Sequence, residues 1–270
     1  MTDQRKPAID YEQRLLTFID LCGFKGIIDQ TLENDGDWNA SSLYWLLKEF
    51  TGNVLESVVV GGVPTLGIDG SRQVKPIDGL EGLARERAHK ESKESWPIAI
   101  THFSDSFVIS TPASNKGSTS LHFSLVRGLV RALLRKGITV RGGMTVGEAI
   151  HESSGVLFGP AMNRAYQLES GACFAQWPRI LMDSCAYPVF IGAFPSGEEF
   201  HNLVQRAESE FWQITPASCA ISEDLPGADA ELLGNLKSLH DMHAADPKLG
   251  ARYGELLKNW NITHEKSSDS

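Results

Sequence analysis

The sequence predicts a single α/β domain, because apolar runs typical of strands alternate along the chain with segments that have helical spacing. The clearest strand is the run Leu15 to Leu21, which carries Asp20 near its end and is followed by a Gly23-Phe24 turn. The clearest helix is Ser120 to Lys136, where leucine and valine recur every three or four residues. Both segments are rich in residues that need burial, so we expect them to share one core.

The first half of the chain contains two further predicted helices and a hairpin. One helix follows Phe24 and extends to about Gln30, and a second begins near Ala40 with apolar residues at helical spacing. The segment from Val54 to Gly67 is β-branched and glycine-rich, which predicts one or two strands. Pro97 to Ser110 has two apolar runs around a polar centre, the pattern of a β-hairpin with Ser104-Asp105 at its tip.

The second half continues this alternation after the long helix. We predict a strand pair over Ile138 to Ile150 and a short helix over Gly159 to Glu169. Strands around Ile180 to Met182 and Val189 to Ile191, and a helix near Glu198 to Glu210, are predicted to follow.

The domain organisation predicted from these patterns is simple. Residues 1–225 form the main domain, and residues 226–264 form a helical C-terminal extension of the same domain. Leucines at helical spacing predict this extension, whereas the polar residues 265–270 are predicted to form a disordered tail.

Composition and charge exclude several classes of protein. The chain has 270 residues and a formal net charge of −9, so it lacks the basic surface that sequence-independent nucleic-acid binding needs. No apolar stretch approaches the roughly 20 residues that span a bilayer, so we expect no membrane segment. Four cysteines at irregular spacing, and a polar N-terminus without a signal peptide, predict a cytoplasmic protein.

Two carboxylates at strand ends are the strongest sign of chemistry. Asp20 ends the first apolar strand and Asp105 lies at the hairpin tip, so each can present oxygens to a hard cation such as Mg²⁺. The Gly23 turn opens a helix, whose free N–H groups favour an anion such as phosphate. The alternative is that both aspartates only begin turns.

Four segments, in order, resemble the class III nucleotidyl cyclases. Phe18 to Phe24 is similar to the family's first metal motif, and Phe103 to Phe107 is similar to the second. Arg141 to Gly147 resembles the arginine-led strand that precedes the family's hairpin, and Gly159 to Ser170 resembles its helix with a catalytic asparagine. The resemblance covers roughly residues 13–190.

This resemblance implies a fold, an assembly and a reaction. The fold is a ferredoxin-like βαββαβ palm sheet, and the assembly is a head-to-tail homodimer with active sites between protomers. Asp20 and Asp105 would hold two divalent cations, Mg²⁺ or Mn²⁺. The 3′-hydroxyl of a nucleoside triphosphate would attack its own α-phosphorus, and pyrophosphate would leave.

The resemblance also implies which residues bind the nucleotide. Arg141 would bind phosphate, and Asn163 would arrive from the other subunit to orient the ribose. The residues whose backbone would cradle the triphosphate are Leu21, Cys22, Gly23 and Phe24.

The chain departs from the family at the catalytic helix and at the second metal motif. The family has an arginine one turn after the asparagine, but that position is Gln167 here. A neutral amide brings no charge to the transition state, and losing such electrostatic help costs on the order of 10²- to 10³-fold in rate. Arg164 is a neighbour of Asn163, although a helix points it about 100° away. In the second metal motif Ser104 replaces the usual glycine.

The positions that read a purine in this family also differ. Thr101 and Val156 stand where purine cyclases have a lysine and an aspartate, so the usual charged recognition of adenine is absent. This pattern resembles the pyrimidine cyclases of the Pycsar anti-phage systems, whose cyclic CMP or cyclic UMP activates a separate effector protein. We therefore favour UTP as the substrate, with CTP possible.

Two alternatives remain open from the sequence. One is a purine cyclase, adenylate or guanylate, with a different base pocket. The other is a degenerate cyclase homologue that binds nucleotide or a partner without catalysis, for which Gln167 is the main support. Both aspartates and Asn163 count against the second alternative.

Overall fold

A computed structural model describes residues 10–33, 39–48, 63–66, 72–75, 97–152, 154–171, 177–194, 202–208, 210–220 and 228–268. The strands within these ranges are β1 (Glu12–Leu21), β2 (Val63–Leu66), β3 (Arg72–Lys75), β4 (Ala99–Phe103), β5 (Ser106–Pro112), β6 (Val140–His151), β7 (Leu157–Phe158), β8 (Ile180–Met182), β9 (Gln205–Arg206) and β10 (Trp212–Ile214). The helices are α1 (Phe24–Glu33), α2 (Ala40–Lys48), α3 (Lys116–Arg135), α4 (Pro160–Ser170), α5 (Tyr187–Ala193), α6 (Pro216–Ala220), α7 (Ala228–Met242) and α8 (Pro247–Ser268).

The centre of the fold is an antiparallel sheet in the order β4-β5-β1-β6. Strand β1 pairs with β5 on one side and β6 on the other, which places Asp20 between Ser106 and Arg141. Helices α1 and α2 follow β1 in the chain, and α3 connects β5 to β6. This is the βαββαβ order, so the predicted ferredoxin-like palm sheet is confirmed.

The sheet continues beyond β6 with strands from the later part of the chain. Strand β8 pairs parallel with β6, and β10 and β9 follow antiparallel. Strand β7 pairs with the far end of β6, while β2 and β3 form a separate hairpin. Asp20 and Arg141 therefore lie on the two central strands, where the end of β1 meets the start of β6 at one edge of the sheet.

One face of the sheet packs on α3. Alternate residues of β1, such as Leu15 and Ile19, are fully buried there with Phe123 and Val126 of α3. His122 of α3 is also fully buried and lies 2.7 Å from the Thr17 hydroxyl, with the Thr111 hydroxyl at 3.3 Å from its other ring nitrogen. Burial lowers the pKa of His122 to about 3, so the ring is neutral inside this core.

The other face of the sheet packs on α4 at very short range. Ala161 and Ala165 of α4 are buried against Leu16 and Phe18 of β1. Gly143 of β6 allows this approach, because a Cβ there would overlap the carbonyl oxygen of Ala165. Gly143 is therefore required by the packing of α4, and Gly142 is required because a Cβ there would overlap the carbonyl oxygen of Phe18.

The C-terminal helices pack on α3 and α6. Helices α7 and α8 form an apolar cluster with Leu134 of α3 and Ala217 of α6; its other buried members are Leu232, Leu236, Leu239, Tyr253, Leu256 and Trp260. Helix α8 includes residues 265–268, which the sequence assigned to a disordered tail. The boundary predicted at residue 225 lies outside the described residues. No helix in the described ranges has the length and apolar character needed to cross a membrane.

Several predicted elements match and others do not. The hairpin with Ser104-Asp105 at its tip and the helix beginning at Ala40 are confirmed. The predicted strand pair over Ile138 to Ile150 is one long strand, β6. The predicted strand Val189 to Ile191 is wrong, because aromatic residues at helical spacing, Tyr187, Phe190 and Phe194, pack it as α5.

Two more predictions fall partly on residues that are not described. The helix predicted near Glu198 to Glu210 is wrong where the structure describes it, since Gln205–Arg206 forms β9. The strands predicted over Val54 to Gly67 include β2, and the rest of that segment lies outside the described residues.

We predict that Gly143→Ala destabilises the protein by about 1–3 kcal/mol, because the added methyl group forces α4 away from β6. The matched control is Gly128→Ala in the exposed part of α3, where a Cβ meets no atom. That change should increase the free energy of unfolding by up to about 1 kcal/mol through helix propensity. Urea unfolding measures both; equal effects of the two substitutions would contradict the packing role of Gly143.

Candidate active site

A cavity of about 620 Å³ opens where β1 ends and α4 passes over it. This volume lies in the range of small-molecule sites. Its walls combine charged groups with aromatic rings, and its lining residues are Phe18, Asp20, Phe103, Ser106, Arg141, Met162, Tyr166, Glu169 and Ser170. Two of the predicted site residues, Asp20 and Arg141, therefore face the same space.

A charge triad connects three elements at this cavity. One terminal nitrogen of Arg141 lies 3.1 Å from Oδ2 of Asp20 and 2.8 Å from Oε1 of Glu169. The Glu169 side chain is 6% exposed, and Asp20 and Arg141 are 20% and 27% exposed. The contact with Asp20 is a charge-assisted hydrogen bond, which is stronger than a neutral one, and the contact with Glu169 is an ion pair. Arg141 thus holds the ends of β1, β6 and α4 together.

Asp105 joins this cluster through the turn between β4 and β5. Its carbonyl oxygen accepts a hydrogen bond of 2.9 Å from the N–H of Leu21, which fixes the turn against the end of β1. Burial raises the pKa of Asp20, the hydrogen bond from Arg141 opposes this, and the negative charge of Asp105 raises the pKa again. The two carboxylates are thus close enough to repel one another.

This arrangement fits a pair of hard cations. Asp20 and Asp105 offer only oxygen atoms, which Mg²⁺ and Mn²⁺ prefer. A bound cation would relieve the repulsion between the two aspartates. Within the described ranges no three histidine, cysteine or acidic side chains are grouped as a metal site, so phosphate oxygens or water would supply the other ligands.

The loop after β1 is only partly available for phosphate. The N–H of Leu21 is bound to Asp105, and the N–H of Cys22 donates to the Thr139 carbonyl at 2.9 Å. These two N–H groups therefore already have acceptors within the chain, and the predicted cradle of Leu21 to Phe24 stays a prediction. Gly23, at φ +78°, turns the chain into α1. Within the described chain, the N–H groups of Gly23 and Phe24 have no acceptor, so they remain suitable for an anion.

Asn163 and Gln167 lie on an exposed face of α4, outside the cavity of their own chain. They are one helical turn apart, so their side chains project in the same direction. Arg164, in contrast, forms an ion pair with Asp183 at 3.2 Å. It therefore does not replace the arginine that the family has at position 167.

Thr101 and Val156 also lie outside the cavity lining. Thr101 is half-buried on β4, and its hydroxyl lies 2.8 Å from Nε2 of His151 at the end of β6. Val156 is 46% exposed in the turn before β7, where its carbonyl accepts from the N–H of Glu152. His151 and Glu152 are adjacent, so the structure brings the two predicted base-reading positions to the same end of β6.

Sequence analysis missed most of the residues that line the cavity. Met162, Tyr166, Glu169 and Ser170 all come from α4, at helical spacing that could have been recognised once Asn163 was placed on the neighbouring face. Glu169 is the most important omission, because its carboxylate holds Arg141. Phe103 and Phe18 were assigned to strands, and no pattern in the sequence indicates that their rings face a cavity.

No protein-family model matches this chain, and no curated protein is detectably similar to it in sequence. Among solved structures, it is similar to the guanylyl cyclase domain of the rhodopsin fusion protein from the aquatic fungus Blastocladiella emersonii, with 14% identity and a TM-score of 0.44 over 77% of this chain and 98% of that chain. The catalytic core of a rhodopsin-guanylyl cyclase with converted specificity, in complex with ATPαS, has 14% identity and a TM-score of 0.45 over the same shares. The adenylyl cyclase CyaB of P. aeruginosa has 13% identity and a TM-score of 0.42 over 80% of this chain and 97% of that chain.

We predict that Arg141→Met lowers the free energy of unfolding by about 2 kcal/mol, because it leaves Asp20 and Glu169 as neighbouring carboxylates without a cation. Adding Glu169→Gln to that variant should restore more than half of the loss, since one of the two charges is then removed. A double-mutant cycle in urea measures the coupling. Strictly additive effects would contradict the charge triad.

Proposed function

We propose that this chain is a metal-dependent nucleotidyl cyclase. It converts a pyrimidine nucleoside triphosphate, with UTP favoured over CTP, into a 3′,5′-cyclic monophosphate and pyrophosphate. The observation that carries this proposal is the placement of Asp20 beside Arg141 at a cavity large enough for part of a nucleotide, with the negative charge of Asp105 near enough to raise the pKa of Asp20. The order of the four cyclase-like segments supports the same reaction.

The proposed metal sites use the two aspartates. Asp20 and Asp105 would hold two Mg²⁺ or Mn²⁺ ions. When bound, such ions stabilise charge on the attacking and leaving oxygens of a phosphoryl group. Arg141 lies beside Asp20, so its guanidinium provides a positive charge at the cavity before any ligand binds.

The chain's own residues bind and orient the triphosphate. Arg141 binds phosphate oxygens, and Glu169 holds its guanidinium at the cavity wall. The N–H groups of Gly23 and Phe24 would donate to phosphate oxygens at the start of α1. The rings of Phe18, Phe103 and Tyr166, which contact one another, cover the apolar part of the cavity.

The proposed active unit is a homodimer. Asn163 is exposed and lies outside the cavity of its own chain. It would therefore contact the ribose in the site of a partner subunit. Large apolar side chains are also exposed at the cavity rim and around β7, namely Phe103, Tyr166, Val156 and Phe158. A second copy of the chain would cover such side chains.

The base preference rests on what Thr101 and Val156 lack. Neither side chain carries a charge, so the lysine and aspartate that read a purine have no counterpart at these positions. A small pyrimidine ring that is read through neutral groups fits them better. We propose that the cyclic product is an alarm signal of anti-phage defence, which acts through a separate effector protein.

Incubation of the purified protein with each of the four ribonucleoside triphosphates, in Mg²⁺ or Mn²⁺, tests the reaction. We expect cyclic UMP as the main product, and its loss by at least about 10²-fold in Asp20→Asn and in Asp105→Asn. Asp29→Asn, at an exposed carboxylate of α1, is the matched control and should keep full activity. Cyclisation of ATP or GTP alone would replace the pyrimidine assignment with the purine alternative.

Mixing two inactive variants tests the dimer. Asp20→Asn and Asn163→Ala alter groups that belong to different halves of each proposed site. An equal mixture should recover about a quarter of the native activity, because half of the dimers are mixed and each of these has one intact site. A mixture that stays inactive, although both variants dimerise, would contradict a shared site.

The degenerate homologue is the second candidate, and the exposed neutral side chain of Gln167 favours it. Gln167→Arg adds the missing charge beside Asn163. For an active cyclase we expect at most about a tenfold gain in kcat, since the native site already works without this charge. A rise of 10²-fold or more from an almost inert parent would instead support the degenerate homologue.

A further inference from the structure

A line of hydrogen bonds crosses the α4 side of the central sheet; we name it the hydroxyl relay and define it as Arg14, Ser110, His151 and Thr101. Nε of Arg14 donates to the Ser110 hydroxyl at 2.8 Å. The same hydroxyl lies 2.8 Å from Nδ1 of His151, and Nε2 of His151 lies 2.8 Å from the Thr101 hydroxyl. The relay thus starts at a cation and ends at a predicted base-reading residue.

The cation fixes the direction of the relay. A guanidinium has donors only, so the Ser110 oxygen must accept from Arg14. Ser110 is fully buried, and His151 is the only other partner of its hydroxyl among the described residues. The hydrogen of this hydroxyl therefore goes to Nδ1 of His151, because a buried polar hydrogen without an acceptor is costly.

The protonation state of His151 extends the same order of donors and acceptors to Thr101. Burial, together with the charge of Arg14, lowers the pKa of His151 to about 4, so the ring is neutral and has a single N–H. Because Nδ1 accepts, the hydrogen is on Nε2 and is donated to the Thr101 oxygen. The hydrogen of the Thr101 hydroxyl then remains for a ligand.

Thr101 is not among the residues that line the cavity, but it lies on the same strand as one that does. It is half-buried on β4, and Phe103, two residues along the same strand, lines the cavity with a ring that is 43% exposed. Residues two apart on a strand share a face and are about 7 Å apart. An exposed aromatic ring beside a hydroxyl offers a base both stacking and a hydrogen bond at its edge.

We propose that the hydroxyl relay presents Thr101 as a hydrogen-bond donor and thereby selects uracil over cytosine, with His151 as the positioning residue. This inference rests on the proposed function and deepens it. Uracil has a carbonyl oxygen at C4, which accepts from Thr101, whereas cytosine has an amino group that can only donate. Cytosine would force the Thr101 oxygen to accept two N–H groups while its own hydrogen stays unpaired.

The test compares kcat/KM for UTP and CTP in the native protein and in variants of the relay. We expect the native protein to prefer UTP by about tenfold, the size of one unsatisfied hydrogen bond. Thr101→Val removes the donor, and His151→Phe and Ser110→Ala remove the groups that direct it. Each of these variants should bring the ratio of UTP to CTP toward one.

Two controls separate selection from loss of structure. Thr101→Ser keeps the hydroxyl and should keep the native ratio. His122→Phe removes the other buried histidine that contacts two threonine hydroxyls, on the opposite face of the same sheet. It should lower the thermal stability without changing the ratio. Ser110→Ala is the smallest change in the relay, so it covers the case in which His151→Phe does not fold.

Competition binding of 3′-deoxy-UTP and 3′-deoxy-CTP distinguishes failure of this inference from failure of the proposed function, since these analogues cannot cyclise. Absence of product from all triphosphates, with a binding preference for 3′-deoxy-UTP that is lost in Thr101→Val, would overturn the reaction and retain the relay. No preference in the native protein, a preference for the cytosine nucleotide, or a ratio unchanged in both Thr101→Val and Ser110→Ala would overturn the relay.

Discussion

The site depends on how closely α4 approaches β6. Gly143 leaves no side chain between the helix and the strand, so the backbone of α4 rests directly on the sheet. This contact determines how far Glu169 lies from Arg141 and how far the Tyr166 ring lies from the Phe18 ring. A bulkier residue in place of Gly143 would move α4 as a unit, because the buried alanines of α4 fill the same space.

The contact between α4 and β6 also brings three charged side chains together at the cavity. Two carboxylates beside one another would repel, and the guanidinium of Arg141 offsets this by binding Asp20 and Glu169 together. The triad joins the middle strand, its neighbour and the helix at the point where the cavity opens. Packing far from solvent and electrostatics at the cavity therefore stabilise the same arrangement of β1, β6 and α4.

Much of this fold could be predicted from sequence patterns. The leucine stripe of α3 has a helical period, the hairpin at Ser104-Asp105 has a polar tip between two apolar runs, and the apolar strand with Asp20 ends at a glycine turn. The aromatic segment Tyr187–Ala193 misled the prediction, because short apolar runs fit a strand or a buried helix equally well. The hydroxyl relay could not be predicted from local sequence patterns, because its four members lie on β1, β5, β6 and β4 and come together only through the register of the sheet.

The position of β4 has a consequence for how such a protein could change over time. Asp20 lies on a strand with neighbours on both sides, whereas Thr101 lies on the strand that ends the described sheet path and pairs only with β5. A residue on an edge strand can be exchanged with little disturbance to the rest of the sheet. The side chain at position 101 can therefore vary during evolution while the carboxylate of Asp20 on the central strand stays fixed, so one sheet can carry different groups at its edge.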